Sequence, residues 1–125
     1  PGPRNGFSTS QAWLRSDTRA DDETAQTQVG VPDSWHSCYA GLLSARRSLP
    51  DLVDKPVKWT DGGHGPVISY RRGSVQVAVN TSFEPQTVAF DIDTEVVYST
   101  PGSDTYEGGQ IGLPSHGATI RVARR

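Results

Sequence analysis

The chain has 125 residues, 34% of them hydrophobic, with 12 basic and 14 acidic side chains and a net charge of −2. That length sets a prior of one domain, and near-neutral charge without a block of like charges argues against a nucleic-acid partner or a membrane-surface protein. Apolar runs reach only two or three residues, too short for a membrane span or a signal-peptide core, and the single cysteine, Cys38, excludes an internal disulfide or a CxxC site.

Residues 1–30 open on PGPRNG and pass through SDTRADDETAQTQ, a run with no apolar side chain larger than Ala. Such a stretch predicts an extended polar loop held by Phe7 and Trp13. Residues 33–49, DSWHSCYAGLLSARRSL, then place Trp35, Cys38, Tyr39, Leu42, Leu43 and Arg46 at i, i+3, i+4, i+7, i+8 and i+11, which predicts one amphipathic helix. Asp33 after Pro32 is the expected N-cap, Arg46 and Arg47 suit the negative C-terminal end, and Pro50 stops the helix. Trp35, Tyr39 and Leu42 are expected to bury one face against the sandwich, with part of the stripe left exposed or covered by another copy.

The composition changes near Pro50, where ten of the twelve Val follow and four of the six Leu precede. Val suits a pleated surface and Leu a helix, so strands are expected from there on. The strand-like runs are VKWT (57–60), VISYRR (67–72), VQVAVNTS (75–82), TVAFDI (87–92), EVVYST (95–100), QIGL (110–113) and GATIRVAR, with TDGGHGP and PGSDTYEGG as turns. The fold class is therefore mainly β, a small antiparallel β-sandwich, Greek-key-like, of six to seven strands, preceded by one amphipathic helix and a long polar loop. About 75 residues bury only roughly 60% of their unfolded surface, so packing under the helix would help such a sandwich.

Few residues suggest chemistry. His36, His64 and His116 lack the spacing of metal ligands, and Asp91, Asp93 and Glu95 lack the glycine of a calcium loop, so neither a metal nor a cofactor is expected. Cys38 lies on the helix stripe and is expected to pack in the core. Asn80 to Ser82 match a glycan acceptor at a strand end, a pattern frequent by chance. Gly62, Gly63, Gly65, Gly108 and Gly109 open no helix and read as hairpin glycines rather than a phosphate cradle. Trp59, Tyr70, Tyr98 and Tyr106 are better explained by core or edge packing than by sugar stacking.

In order, the pieces NGFS, AWL, the acidic loop, VPDSWHSCYAGLLSARRSLPDL and VISYRRGSVQVAVNTSFEP resemble the C-terminal end of the α-amylase family of glycoside hydrolases (family 13), in its α-glucosidase, oligo-1,6-glucosidase and trehalose-synthase branch. The resemblance covers nearly the whole chain. It implies that residues 1–50 are the last loop and helix of a (β/α)8 barrel and that residues 51–125 are the C-terminal β-domain. It also implies that the catalytic carboxylates lie upstream, so no residue here is catalytic and the chain alone is expected to be inactive. Arg4, Asn5 and Phe7 match the loop at the family's active-site mouth and would line a substrate subsite only in the full enzyme. The implied partner is the catalytic barrel, an α-glucoside is reached only through it, and self-association through the helix face stays open. The expected location is the cytoplasm. The alternative is a self-standing β-sandwich module that binds carbohydrate or protein.

Overall fold

The computed structural model describes residues 10, 13, 24–60, 65–90, 93–103, 105–107 and 109–124, and divides the chain into two compact units, Pro1–Ala40 and Gly41–Arg125. In the first unit the polar stretch ends in one helical turn, α1 (Ala25–Gln28), whose first turn is capped by Thr24: its Oγ1 accepts from the Thr27 amide at 3.4 Å. Helix α2 (Trp35–Ser48) begins in this unit. Its N-cap is Ser34 rather than the expected Asp33, because Asp33 takes the left-handed conformation at φ 60° while Ser34 Oγ accepts from the Ser37 amide at 3.2 Å. A second free amide, that of His36, donates to Gln28 Oε1 at 3.1 Å. Phe7 lies outside the described residues, and Trp13, expected to anchor the loop, is 92% exposed.

In the second unit α2 ends at Ser48, and Pro50, with φ −53° and ψ −35°, starts the short helix α3 (Asp51–Asp54). Among the described residues eight strands follow: β1 (Lys58–Trp59), β2 (Val67–Arg72), β3 (Val75–Asn80), β4 (Gln86–Ala89), β5 (Thr94–Ser99), β6 (Thr105–Glu107), β7 (Gln110–Leu113) and β8 (Ala118–Ala123). They form two antiparallel sheets, one of five strands ordered β1-β2-β3-β8-β5 and one of three ordered β4-β7-β6. The architecture is the small β-sandwich expected. One strand more is present because PGSDTYEGG, expected as a turn, contributes β6.

The central strand β3 explains how this small unit buries enough surface. Val75 and Val77, on one face, pack with Ile120, Ala45 and Leu52, joined by the half-buried Leu42, Leu49 and Tyr98. Ala78, on the other face, packs with Val88, Ile111 and Leu113 from the three-stranded sheet and with Phe90, which follows β4. The C-terminal half of α2 and α3 thus form a third layer, so both faces of β3 are covered. Around the apolar cluster on the sheet-to-sheet side lie buried polar groups, Ser69, Gln76, Thr119 and Arg121. The Arg121 guanidinium donates from Nε to Thr94 Oγ1 at 2.9 Å and from Nη2 to Thr94 O at 3.2 Å, which offsets part of its desolvation.

The expected burial of α2 is half right. Leu42 packs on the sheet, but Trp35 is 73% and Tyr39 63% exposed, and Ala45 is the fully buried residue of the helix. Contact with the sheet starts one turn later than the stripe suggested, where Gly41 meets Tyr98: a Cβ at Gly41 would lie 2.7 Å from Tyr98 Cε2. A register shift in β5 between Val96 and Tyr98 turns both Val97 and Tyr98 toward this layer.

Candidate functional site

The residues expected at an active-site mouth, Arg4, Asn5 and Phe7, lie outside the described residues, as do His64, Gly62, Gly63, Asp91 and Gly108. His36 is exposed in the first turn of α2. His116 occupies a turn at φ 55°, where its Nδ1 lies 2.8 Å from Ser115 Oγ and its ring meets the Phe83 ring edge-on at 4.8 Å. Among the described residues no three His, Cys, Asp or Glu gather to hold a metal ion. Cys38 is half-buried. Asp93 forms an exposed ion pair with Arg124 at 3.3 Å, and such pairs contribute little. Glu95 is exposed on β5, and Asp33, Asp54 and Glu84 are likewise exposed. Among the described residues no helix is long and apolar enough to cross a membrane.

Trp59 meets Tyr70 edge-on at 5.8 Å, so these aromatics do pack at the sheet edge, although Trp59 keeps 58% of its surface in solvent. Tyr98 belongs to the core, as expected of it. Gly109 is a hairpin glycine at φ 81° between β6 and β7.

Two arrangements that sequence reasoning missed carry the local geometry. The first joins α3 to the β2–β3 hairpin. Ser74 donates to Asp51 Oδ2 from both its amide and its hydroxyl, each at 2.8 Å. From the other side of the same turn Arg72 donates to Lys55 O at 2.6 Å, to Val53 O at 3.1 Å and to Leu52 O, carbonyls that a helix end leaves without partners. Gly73 sits between them at φ 58°. The signal was in the sequence, since the PDL after α2 and the RRGS of the hairpin are both among the pieces that carried the resemblance, but nothing in either string names the other as its partner.

The second arrangement centres on Asn80, which is 1% exposed. Its Nδ2 donates to Glu84 O and Pro114 O, both at 2.8 Å, while its Oδ1 accepts from the Ser82 amide at 2.9 Å and the Ser82 hydroxyl at 2.8 Å. Every polar group of the amide is used, fixing the turn after β3 against the β7–β8 connection. This Asn is a buried clamp in the folded chain rather than a glycan acceptor.

The two clamps hold helix to sheet and turn to turn. Ser74 Oγ meets a carboxylate oxygen, Asp51 Oδ2, at 2.8 Å, but that oxygen also accepts from the Ser74 amide and the contact locks a turn, while cleavage of a glycoside by paired carboxylates needs two of them facing each other about 5–9.5 Å apart. Of the acids whose side chains are described, Asp33, Asp54, Glu84, Asp93 and Glu95 are exposed and Asp51 is held in a structural bond.

No protein-family model matches the chain, and no curated protein matches it. Solved structures do. The trehalulose synthase MutB from Pseudomonas mesoacidophila MX-45 superposes with a TM-score of 0.83 at 22% identity, over 98% of this chain and 24% of that one. A mutant of MutB in complex with its substrate sucrose gives 0.83 at 22% identity, over 97% and 23%. A second mutant, from crystals soaked with trehalulose, gives 0.80 at 24% identity, over 94% and 23%. The chain has the fold of part of a trehalulose synthase, as the α-amylase-family resemblance implies, and it spans about a quarter of the length of the chains it matches.

Proposed function

We propose that this chain is the C-terminal part of a family 13 glycoside hydrolase acting on α-glucosides, and that its role there is structural. The observation that carries the reading is the asymmetry of coverage: nearly all of this chain fits on less than a quarter of each matched one. The ordered motifs of the sequence support the same reading. In it, residues 1–50 close the barrel, residues 51–125 are the terminal β-domain, and the nucleophile and acid/base carboxylates come from the preceding barrel. Arg4, Asn5 and Phe7 then line a sugar subsite at the barrel mouth. Sucrose, held by one of the matched enzymes, is itself an α-glucoside, in keeping with that substrate class.

The DNA upstream of the Pro1 codon provides the test. The reading expects a continuous frame roughly three times as long as this chain, since 23–24% of the matched length is covered here, and expects it to encode a barrel of alternating strands and helices. A stop codon and a promoter immediately upstream would overturn it and favour the self-standing binding module.

A further inference from the structure

Phe83, on the turn after β3, and His116, on the β7–β8 connection, meet in solvent within the second unit. Phe83 is 84% exposed, yet the turn that carries it is fixed on both sides. Before it, Ser82 donates to Asn80 Oδ1 from its amide and its hydroxyl. After it, Glu84 O accepts from Asn80 Nδ2 at 2.8 Å and from Ser82 Oγ at 3.0 Å. Thr81 adds two bonds to Pro66 O, from its amide at 2.8 Å and its hydroxyl at 2.9 Å. His116 is held as firmly: its amide donates to Ser82 O at 3.2 Å and its Nδ1 lies 2.8 Å from Ser115 Oγ. It stands at φ 55°, where a residue with a Cβ is strained, and strain of that kind collects at binding sites. The two rings meet at 4.8 Å with their planes 80° apart. They form a corner with one purely apolar wall and one wall that carries Nε2, an atom with no partner among the described residues.

We propose that the Phe83–His116 corner is a saccharide-binding site that takes a glucopyranosyl ring of an oligosaccharide. The chemistry of the two walls selects this ligand. A pyranose ring presents a flat C–H face that stacks on an aromatic ring, and its hydroxyls both donate and accept, so they suit Nε2 in either tautomer. In glucopyranose the secondary hydroxyls lie round the rim and leave the C–H faces clear. Glu84, next in the chain to Phe83 and also exposed, supplies a carboxylate acceptor for the same rim. An apolar side chain of a protein partner would use the Phe83 wall alone and leave Nε2 unsatisfied. Rigidity matters because a ring already fixed in place loses little freedom when a ligand stacks on it. The corner lies wholly in the second unit, and the inference does not depend on the proposed function.

Titration of the 125-residue chain with maltotetraose and with cellotetraose, followed by NMR through the Phe83 ring and the His116 imidazole, tests the proposal. The expected result is saturable shifts at both residues with at least one of the two sugars, with a Kd of about 1 mM or tighter. Phe83→Ala and His116→Gly are both expected to fold, the first because the ring is exposed and the second because glycine accepts φ 55° without strain. Phe83→Ala should weaken binding at least about tenfold and His116→Gly at least about threefold. No saturable shift with either sugar would overturn the proposal, and so would binding that Phe83→Ala leaves unchanged. Equal shifts with sorbitol, an open-chain polyol without a ring face, would also overturn it, by showing hydroxyl contact without stacking.

Discussion

Asp51 and Ser74, 23 residues apart, are joined by two hydrogen bonds to a single carboxylate oxygen, Asp51 Oδ2, each 2.8 Å long. The bond ties the residue that opens α3 to the tip of the β2–β3 hairpin, and it leaves no room at the glycine between strand and serine. A Cβ built on Gly73 overlaps the Asp51 carboxylate, and the residue stands at φ 58°. Gly73→Ala is therefore expected to cost roughly 1–3 kcal/mol, from left-handed strain and the displaced carboxylate together. A double-mutant cycle in urea separates the two. In an Asp51→Ala background the cost of Gly73→Ala should fall, and an unchanged cost would show that the carboxylate is not what the side chain meets.

Arg72 reaches three carbonyls of α3 and its C-terminal end with one planar group. A lysine keeps the charge but loses the fork that spans them. Arg72→Lys should lower stability by about 1–2 kcal/mol despite conserving charge. Denaturation midpoints within error of the original would place the guanidinium's contribution elsewhere.

Leucines on the helical layer should separate by side. Leu52 is 8% exposed within the core and Leu43 is 52% exposed. In the 125-residue chain Leu52→Ala is expected to cost about 2–4 kcal/mol and Leu43→Ala less than about 0.5. Comparable losses at both positions in thermal unfolding would contradict the burial described for this layer.

Asn80→Ala removes the donors used by Glu84 O and Pro114 O and the acceptor used by Ser82 in one step. Leaving such groups buried without partners costs about 1–3 kcal/mol each, so the variant should lose at least about 2 kcal/mol or fail to fold. Ser82→Ala touches one side of the same network and should fold with a smaller loss. A variant at position 80 as stable as the original would mean that the two turns hold each other by other contacts.

Most strands were legible in place but not in extent: VQVAVNTS (75–82) forms β3 only to Asn80, and TVAFDI (87–92) forms β4 over Gln86–Ala89. VISYRR is β2 over the predicted 67–72, and the Ala118, Ile120, Val122 pattern is β8. β6 was hidden because its three residues sit among Gly, Ser, Asp and Pro, which signal turns, and its pairing with β7 is set by the sheet rather than by its own sequence. That both faces of β3 are covered depends on which layers lie above and below it, which its own alternation does not carry. For α2 the period identifies the helix but not which of its turns meets the sheet, so Trp35 and Tyr39, expected against it with Leu42, are exposed instead. The clamps at Asp51 and Asn80 are long-range pairings of polar residues, and hydrophobic periodicity carries no information about them. Arg4, Asn5 and Phe7 lie outside the described residues.

Release of nitrophenol from a nitrophenyl α-glucoside, measured with the pure 125-residue chain and with the product of the complete gene, tests the claim that the catalytic carboxylates lie upstream of this chain. If the catalytic carboxylates belong to a preceding barrel, the chain alone releases none while the long protein does. Release by the chain alone, abolished when one of its own Asp or Glu residues is replaced, would contradict the claim.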